Sequence, residues 1–152
     1  MSPVPAPATV LISGINGYLG MWTVRKYLEA GYTVRGQVRS VAKSGKYIKD
    51  TFASYGDKLE LVEVADITAP GAFDEAVKGV DLVVHTASPF HLNAKTPDEM
   101  IDPALKGTLS ILESIHKNAP SVKRVVLTSS IVSIWELGLP NRKVFTESMW
   151  ND

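Results

Sequence analysis

VLISGINGYLGMW, residues 10–22, passes from an apolar run through three equally spaced glycines, Gly14, Gly17 and Gly20, into a stretch of helical character. A strand that hands over to a helix in this way gathers free N–H groups and the positive end of a helix dipole at one point. Gly14 would permit the tight turn, Gly17 would let the backbone approach a phosphate, and Gly20 would let helix and strand pack closely. The spacing is G-x-x-G-x-x-G, not G-x-G-x-x-G, and an ordinary βα turn with a few glycines is the plain alternative. Position directly after the first strand favours a nucleotide.

Outward from this turn, short apolar runs rich in β-branched residues alternate with longer stretches of helical periodicity. Strands are expected at 9–13, 33–38, 59–64, 81–85 and 123–128, and helices at 18–30 (closed by Gly31), 41–55, 72–78 and 99–118, the last with Pro103 in its first turns. DLVVH and RVVLT are apolar on consecutive residues, as strands covered on both faces are. Right-handed crossovers then give a Rossmann-type, doubly wound parallel α/β sheet in three layers, strand order 3-2-1-4-5. A ligand belongs outside the carboxyl ends of the strands, near the switch between the first and fourth. Residues 1–8, rich in proline, read as a frayed lead-in, and 9–152 as one nucleotide-binding domain.

Composition narrows the partners. The 152 residues carry 16 Lys plus Arg against 16 Asp plus Glu, so no net field draws in nucleic acid or an anionic membrane. No cysteine is present, which excludes disulfides, thiolate metal sites and a cysteine nucleophile. No basic leader, apolar leader or membrane-length apolar run is found, and a cytoplasmic location is expected. His85 reads as a satisfied strand-end residue, and His91 and His116 are too scattered for a metal site.

The end of the second strand should read the adenosine ribose. An acid there would bind the 2′-hydroxyl of NAD, whereas QVRSVAK supplies Arg39 and Lys43, suited to the 2′-phosphate of NADP(H). A solvated basic helix start is the alternative. Asp66, in VADIT, would either accept from an adenine amino group with Ile67 against the ring, or merely cap the helix that follows. Thr86, Ala87 and Ser88 are small residues where a dinucleotide crosses the sheet edge. For the serines of TSS, a turn satisfying its own backbone is the stronger reading on the residues alone.

SGINGYLG, VRS, DI, HTASPF, DPALKGTLSILESI and VKRVVLTSS, in that order, resemble the extended short-chain dehydrogenase/reductases. Within them the likeness is to the branch of dihydroflavonol reductases, cinnamoyl-CoA reductases and fungal NADPH-dependent methylglyoxal or aldehyde reductases. The tail FTESMW resembles the acidic residue followed by Trp that this branch carries before its catalytic helix. The resemblance implies NADP(H)-dependent reduction of a small carbonyl substrate, with a Tyr as proton donor, a Lys four residues later lowering its pKa, and a Ser holding the carbonyl oxygen. It assigns Ser130 as that Ser and Gly14, Gly17, Tyr18 and Leu19 as the phosphate turn. It assigns Arg39 and Lys43 to the 2′-phosphate, Asp66 and Ile67 to adenine, and Thr86, Ala87 and Ser88 to ribose and nicotinamide.

None of the five tyrosines is followed by Lys four positions on. The chain is therefore read as stopping before the catalytic helix, as the cofactor half of a reductase that is inactive alone. A non-catalytic dinucleotide sensor is the first competing function, and a nucleotide-sugar epimerase or dehydratase relative the second. Uncovered apolar surface is expected around Val83, Val126, Ile131 and Ile134, with self-association through it.

Overall fold

Strands that are apolar on both faces need cover on both sides, and the chain provides it in the computed structural model, which describes residues 3–89, 93–134, 146 and 148. In chain order the elements are β1 (Thr9–Ser13), α1 (Tyr18–Glu29), β2 (Thr33–Val38), α2 (Val41–Thr51), a 3-10 helix (Ala53–Lys58), β3 (Leu59–Glu63), β4 (Leu82–His85), α3 (Asp98–Asn118), β5 (Arg124–Leu127) and a 3-10 turn (Ile131–Ser133). The strands form one sheet in the order β3-β2-β1-β4-β5. Every pairing is parallel, with Val10 opposite both Val34 and Leu82, and Leu82 opposite Arg124. The expected doubly wound architecture is borne out.

Alternate residues of each strand feed two separate cores. Val10, Ile12, Val34, Val38 and Val84 pack with Val24 and Leu28 of α1 and Ile48 of α2. Leu11 and Val83 face the other way, against Phe73, Val77 and Ile111 of α3. At the amino ends Asp81 stitches three strands: its carboxylate accepts from Thr9 N at 3.0 Å and pairs with Lys123 at 2.9 Å. Those two bonds hold its pKa below the ordinary carboxylate range.

Several expectations are corrected. Residues 72–78 are not an α-helix but a series of turns. Burial of Phe73, Ala76 and Val77 has the expected spacing, yet the Arg35 guanidinium of β2 takes the carbonyls of Ala76 (3.0 Å) and Lys78 (2.7 Å). Val80 N accordingly donates to Val77, not to Ala76. The helix expected at 41–55 ends at Thr51 and gives way to the 3-10 segment, where Gly56 has φ of +54°. Val83, expected at an uncovered face, is fully buried, because Phe73 and α3 cover that side. The lead-in is anchored at Val4, which is buried in the first core and accepts from the Tyr32 hydroxyl through its carbonyl. The tail 136–152, apart from Thr146 and Ser148, and His91 lie outside the described residues.

Candidate functional site

The carboxyl ends of β1, β2, β3 and β4 open onto a cavity of about 630 Å³, within the range of small-molecule sites. Its floor is the glycine turn. Gly14 takes φ of +67°, and a Cβ there would lie 3.1 Å from Ala87, so the residue serves both the turn and a close approach to the β4 side. A Cβ on Gly20 would lie 2.4 Å from the Gly14 carbonyl oxygen and 2.7 Å from Ile15 Cα, so α1 starts in direct contact with the turn.

α1 begins without a side-chain cap and without an acid in its first turn. The amides of Tyr18 and Leu19 have no i−4 acceptor inside the helix, whose first bond runs from Met21 N to the Gly17 carbonyl at 2.9 Å. This is an uncompensated positive helix end beside the cavity, suited to an anionic group. Tyr18 is 85% exposed, so its amide and not its ring belongs to this end.

Of the residues singled out in the sequence, Gly14, Gly17, Arg39, Asp66, Ile67, Thr86, Ala87 and Ser88 all line the cavity. Tyr18, Leu19, Lys43 and Ser130 are outside its lining. Arg39 is exposed and, like Lys43, makes no ion pair among the described residues. One carboxylate does reach this neighbourhood, from β3: Glu63 accepts from Val41 N at 2.7 Å and so caps α2. No spacing rule points to it from the end of the second strand.

Asp66 does what a capping residue does. Its Oδ1 accepts from Thr68 N at 2.8 Å and from Thr68 Oγ1 at 2.7 Å, and these bonds lower its carboxyl pKa. It also lines the cavity beside Ile67, and the segment it caps is a run of turns and not the expected helix. Ile67 is backed by α3, where a Cβ on Gly107 would come within 3.2 Å of Ile67 Cδ1. Pro103, one turn earlier on the same helix, reaches the cavity wall; the sequence pattern placed it in a helix but not at a site.

Ser13, at the end of β1, organises the β4 side. Its hydroxyl oxygen accepts from Thr86 N and Ala87 N, both at 3.0 Å, and lies 2.9 Å from His85 Nδ1. With both lone pairs engaged, the hydroxyl proton must go to Nδ1, which makes His85 the neutral Nε2–H tautomer. Burial pushes its pKa down. His85 is thus the satisfied strand-end residue expected of it. Ser130 stands three residues past β5, where its carbonyl accepts from Ser133 N at 3.1 Å and Ser133 Oγ at 2.6 Å. Among the described residues no cluster of His, Asp and Glu could hold a metal ion, and no helix is long and apolar enough to cross a membrane.

The geometry has close counterparts. The family model described as the NAD dependent epimerase/dehydratase family matches residues 10–144. A cinnamoyl-CoA reductase of Medicago truncatula is 43% identical over 146 residues, covering 93% of this chain and 44% of the relative. Aldehyde reductase 2 of Sporidiobolus salmonicolor is 42% identical over 130 residues, covering 86% and 37%. Among solved structures, the yeast methylglyoxal/isovaleraldehyde reductase complexed with NADPH superposes with a TM-score of 0.84 at 35% identity, over 94% of this chain and 44% of that one. The chain thus spans well under half the length of these relatives.

Proposed function

The chain belongs to the NAD dependent epimerase/dehydratase family, and on that premise we propose that it is the NADP(H)-binding part of an oxidoreductase that reduces a small aldehyde or ketone to an alcohol. The observation that carries the choice of cofactor is Arg39. It lines the same cavity as the glycine turn, stands directly after the second strand, and carries a planar donor fork suited to a 2′-phosphate.

In this reading the turn through Gly14 and Gly17 brings the amides of Tyr18 and Leu19 to the pyrophosphate, and Arg39 with Lys43 holds the 2′-phosphate. Asp66 and Ile67 receive the adenine. Thr86 and Ala87, fixed by Ser13, position the ribose and nicotinamide together with Ser88, and Ser130 orients the carbonyl oxygen. The bound nicotinamide supplies the hydride. No Tyr-x-x-x-Lys pair occurs in these 152 residues, so within them the work is binding and orientation, and a proton donor is not among them.

Calorimetry with NADPH and NADH on the chain and on Arg39→Ala tests the proposal. Loss of a charged hydrogen-bond donor is expected to weaken NADPH binding roughly 10- to 100-fold while leaving NADH within about threefold. Equal loss for both cofactors would overturn the NADP(H) assignment. Absence of binding to either by the parent chain would overturn the assignment of cofactor binding to these residues alone.

Self-association is part of the same proposal. Among the described residues β5 is an edge strand, and its consecutive residues Val126 and Leu127, which point to opposite faces, are 41% and 44% exposed. Ile101, Leu105 and Leu109, one stripe of α3 at i, i+4 and i+8, are also exposed. An open edge beside apolar surface is a pairing site. Sedimentation velocity is expected to show concentration-dependent dimers that Leu105→Glu weakens; a monomer at the highest soluble concentration would refute it.

A further inference from the structure

We propose that Gln37 is a positioning residue that locks the glycine turn and the adenosine-side segment into one binding frame, and that a neutral amide is required there. The proposal rests on the site being a dinucleotide site and adds a determinant to which none of the motifs assigns a role.

Gln37 is 1% exposed, the largest buried polar side chain facing this cavity. Its Oε1 accepts from Gly14 N at 2.9 Å, and its Nε2 donates to the Val64 carbonyl at 2.9 Å. Its own carbonyl accepts from Ile15 N at 3.1 Å. A single residue of β2 therefore fixes two consecutive amides of the turn after β1 and the last carbonyl before Ala65, Asp66 and Ile67. The neighbouring Gly36 completes the mould, since a Cβ there would lie 2.2 Å from Ile15 Cδ1.

The two side-chain bonds have opposite polarity. Gly14 offers a donor and Val64 an acceptor, so the group between them must accept and donate at once. An amide does this without charge. A carboxylate satisfies Gly14 but turns a second oxygen lone pair on the Val64 carbonyl, in a buried position where an unpaired contact is costly. A thioether of similar length satisfies neither. With Gly14 N committed to Gln37, a phosphate is left to the amides further along the turn and in the first turn of α1.

A protonated carboxylic acid has the same donor and acceptor pattern as the amide, and this gives a signature that simple destabilisation lacks. In Gln37→Glu the buried carboxyl is held neutral to higher pH than usual; the charged groups lining the cavity with it are Arg39 and Asp66, of opposite sign. Relative to the parent chain at the same pH, its NADPH affinity is expected to be roughly 10- to 100-fold weaker in mildly alkaline buffer and to recover to within a few-fold in mildly acidic buffer. Gln37→Met is expected to be weak at every pH. A Gln37→Glu deficit that does not change with pH, or none at all, would overturn the proposal.

Amide hydrogen exchange by NMR reads the same contact without any cofactor. Gly14 N–H is expected to be protected in the parent chain, and about tenfold or more less protected in Gln37→Met, while Ile12 and Val84 keep their protection. An unprotected Gly14 amide in the parent chain would refute the strut even if neither variant folded. A parent chain that bound no NADPH but showed protected Gly14 would refute the cofactor reading and leave the strut standing.

Discussion

Ser13→Ala is expected to lower the unfolding free energy by about 3 kcal/mol or more, a large share of the 5–15 kcal/mol of an ordinary domain. One hydroxyl serves three partners: Thr86 N, Ala87 N and His85 Nδ1. Ser13 is fully buried, and His85 nearly so, so water does not replace the lost oxygen freely. Each orphaned buried group costs about 1–3 kcal/mol, less than additively because all three share one atom. Urea unfolding with an unchanged m-value is the measurement; a loss below about 1 kcal/mol would mean the segment 86–88 is held by other contacts.

The same node sets a pH dependence. Burial depresses the His85 pKa, and donation from the Ser13 hydroxyl to Nδ1 favours the neutral ring as well. Below the ordinary histidine value of about 6.5 the unfolded chain takes up a proton that the folded chain resists, so stability is complete above that pH and declines as pH falls beneath it. Protonated His85 would present a third donor to Ser13 Oγ, which already accepts from two amides. In Ser13→Ala that conflict is gone. Its stability should therefore fall less steeply than that of the parent chain over the same acid window.

The architecture was legible because its signals are local. Consecutive apolar residues in DLVVH and RVVLT announce strands covered on both faces, and a glycine turn between a strand and a helix announces the switch point. Together with the right-handed crossover rule these give the strand order. The turn series at 72–78 was not legible, although its buried residues were correctly spaced, because Arg35 lies some forty residues away and withdraws the carbonyls a helix would use. Val83 was misplaced for a related reason: its cover comes from Phe73 and α3, a packing partner that no periodicity names.

The candidate site divides along the same line. Gly14, Arg39, Asp66 and Thr86 stand at strand ends, where a spacing rule finds them. Gln37 and Ser13 act through bonds to residues far off in sequence: Gln37 bonds Gly14 and Val64, and Ser13 bonds His85, Thr86 and Ala87. Read one at a time they are a polar residue inside a strand and a serine before a glycine. A polar side chain inside a strand of a sheet covered on both faces was nevertheless a signal, since such a buried group must find hydrogen-bond partners.

Gly20→Ala separates the two roles that the glycine turn combines, cradle and structural joint. The added methyl would sit 2.4 Å from the Gly14 carbonyl oxygen and 2.7 Å from Ile15 Cα, both backbone atoms that cannot swing aside as a flexible side chain does. α1 must shift away from the turn, which carries the Tyr18 and Leu19 amides off the cavity. Overpacking of this kind costs about 1–3 kcal/mol, so a melting temperature lower by several degrees is expected. Cofactor affinity should fall further, because the phosphate end of the site moves with the helix while Arg39 and Asp66, after β2 and β3, stay in place. Measured below its melting point, the variant is expected to bind NADPH at least tenfold more weakly but to retain affinity for adenosine 2′,5′-bisphosphate, which depends mainly on the adenosine side. Equal loss for the two ligands would place the damage in the whole sheet end and not in the joint between α1 and the turn.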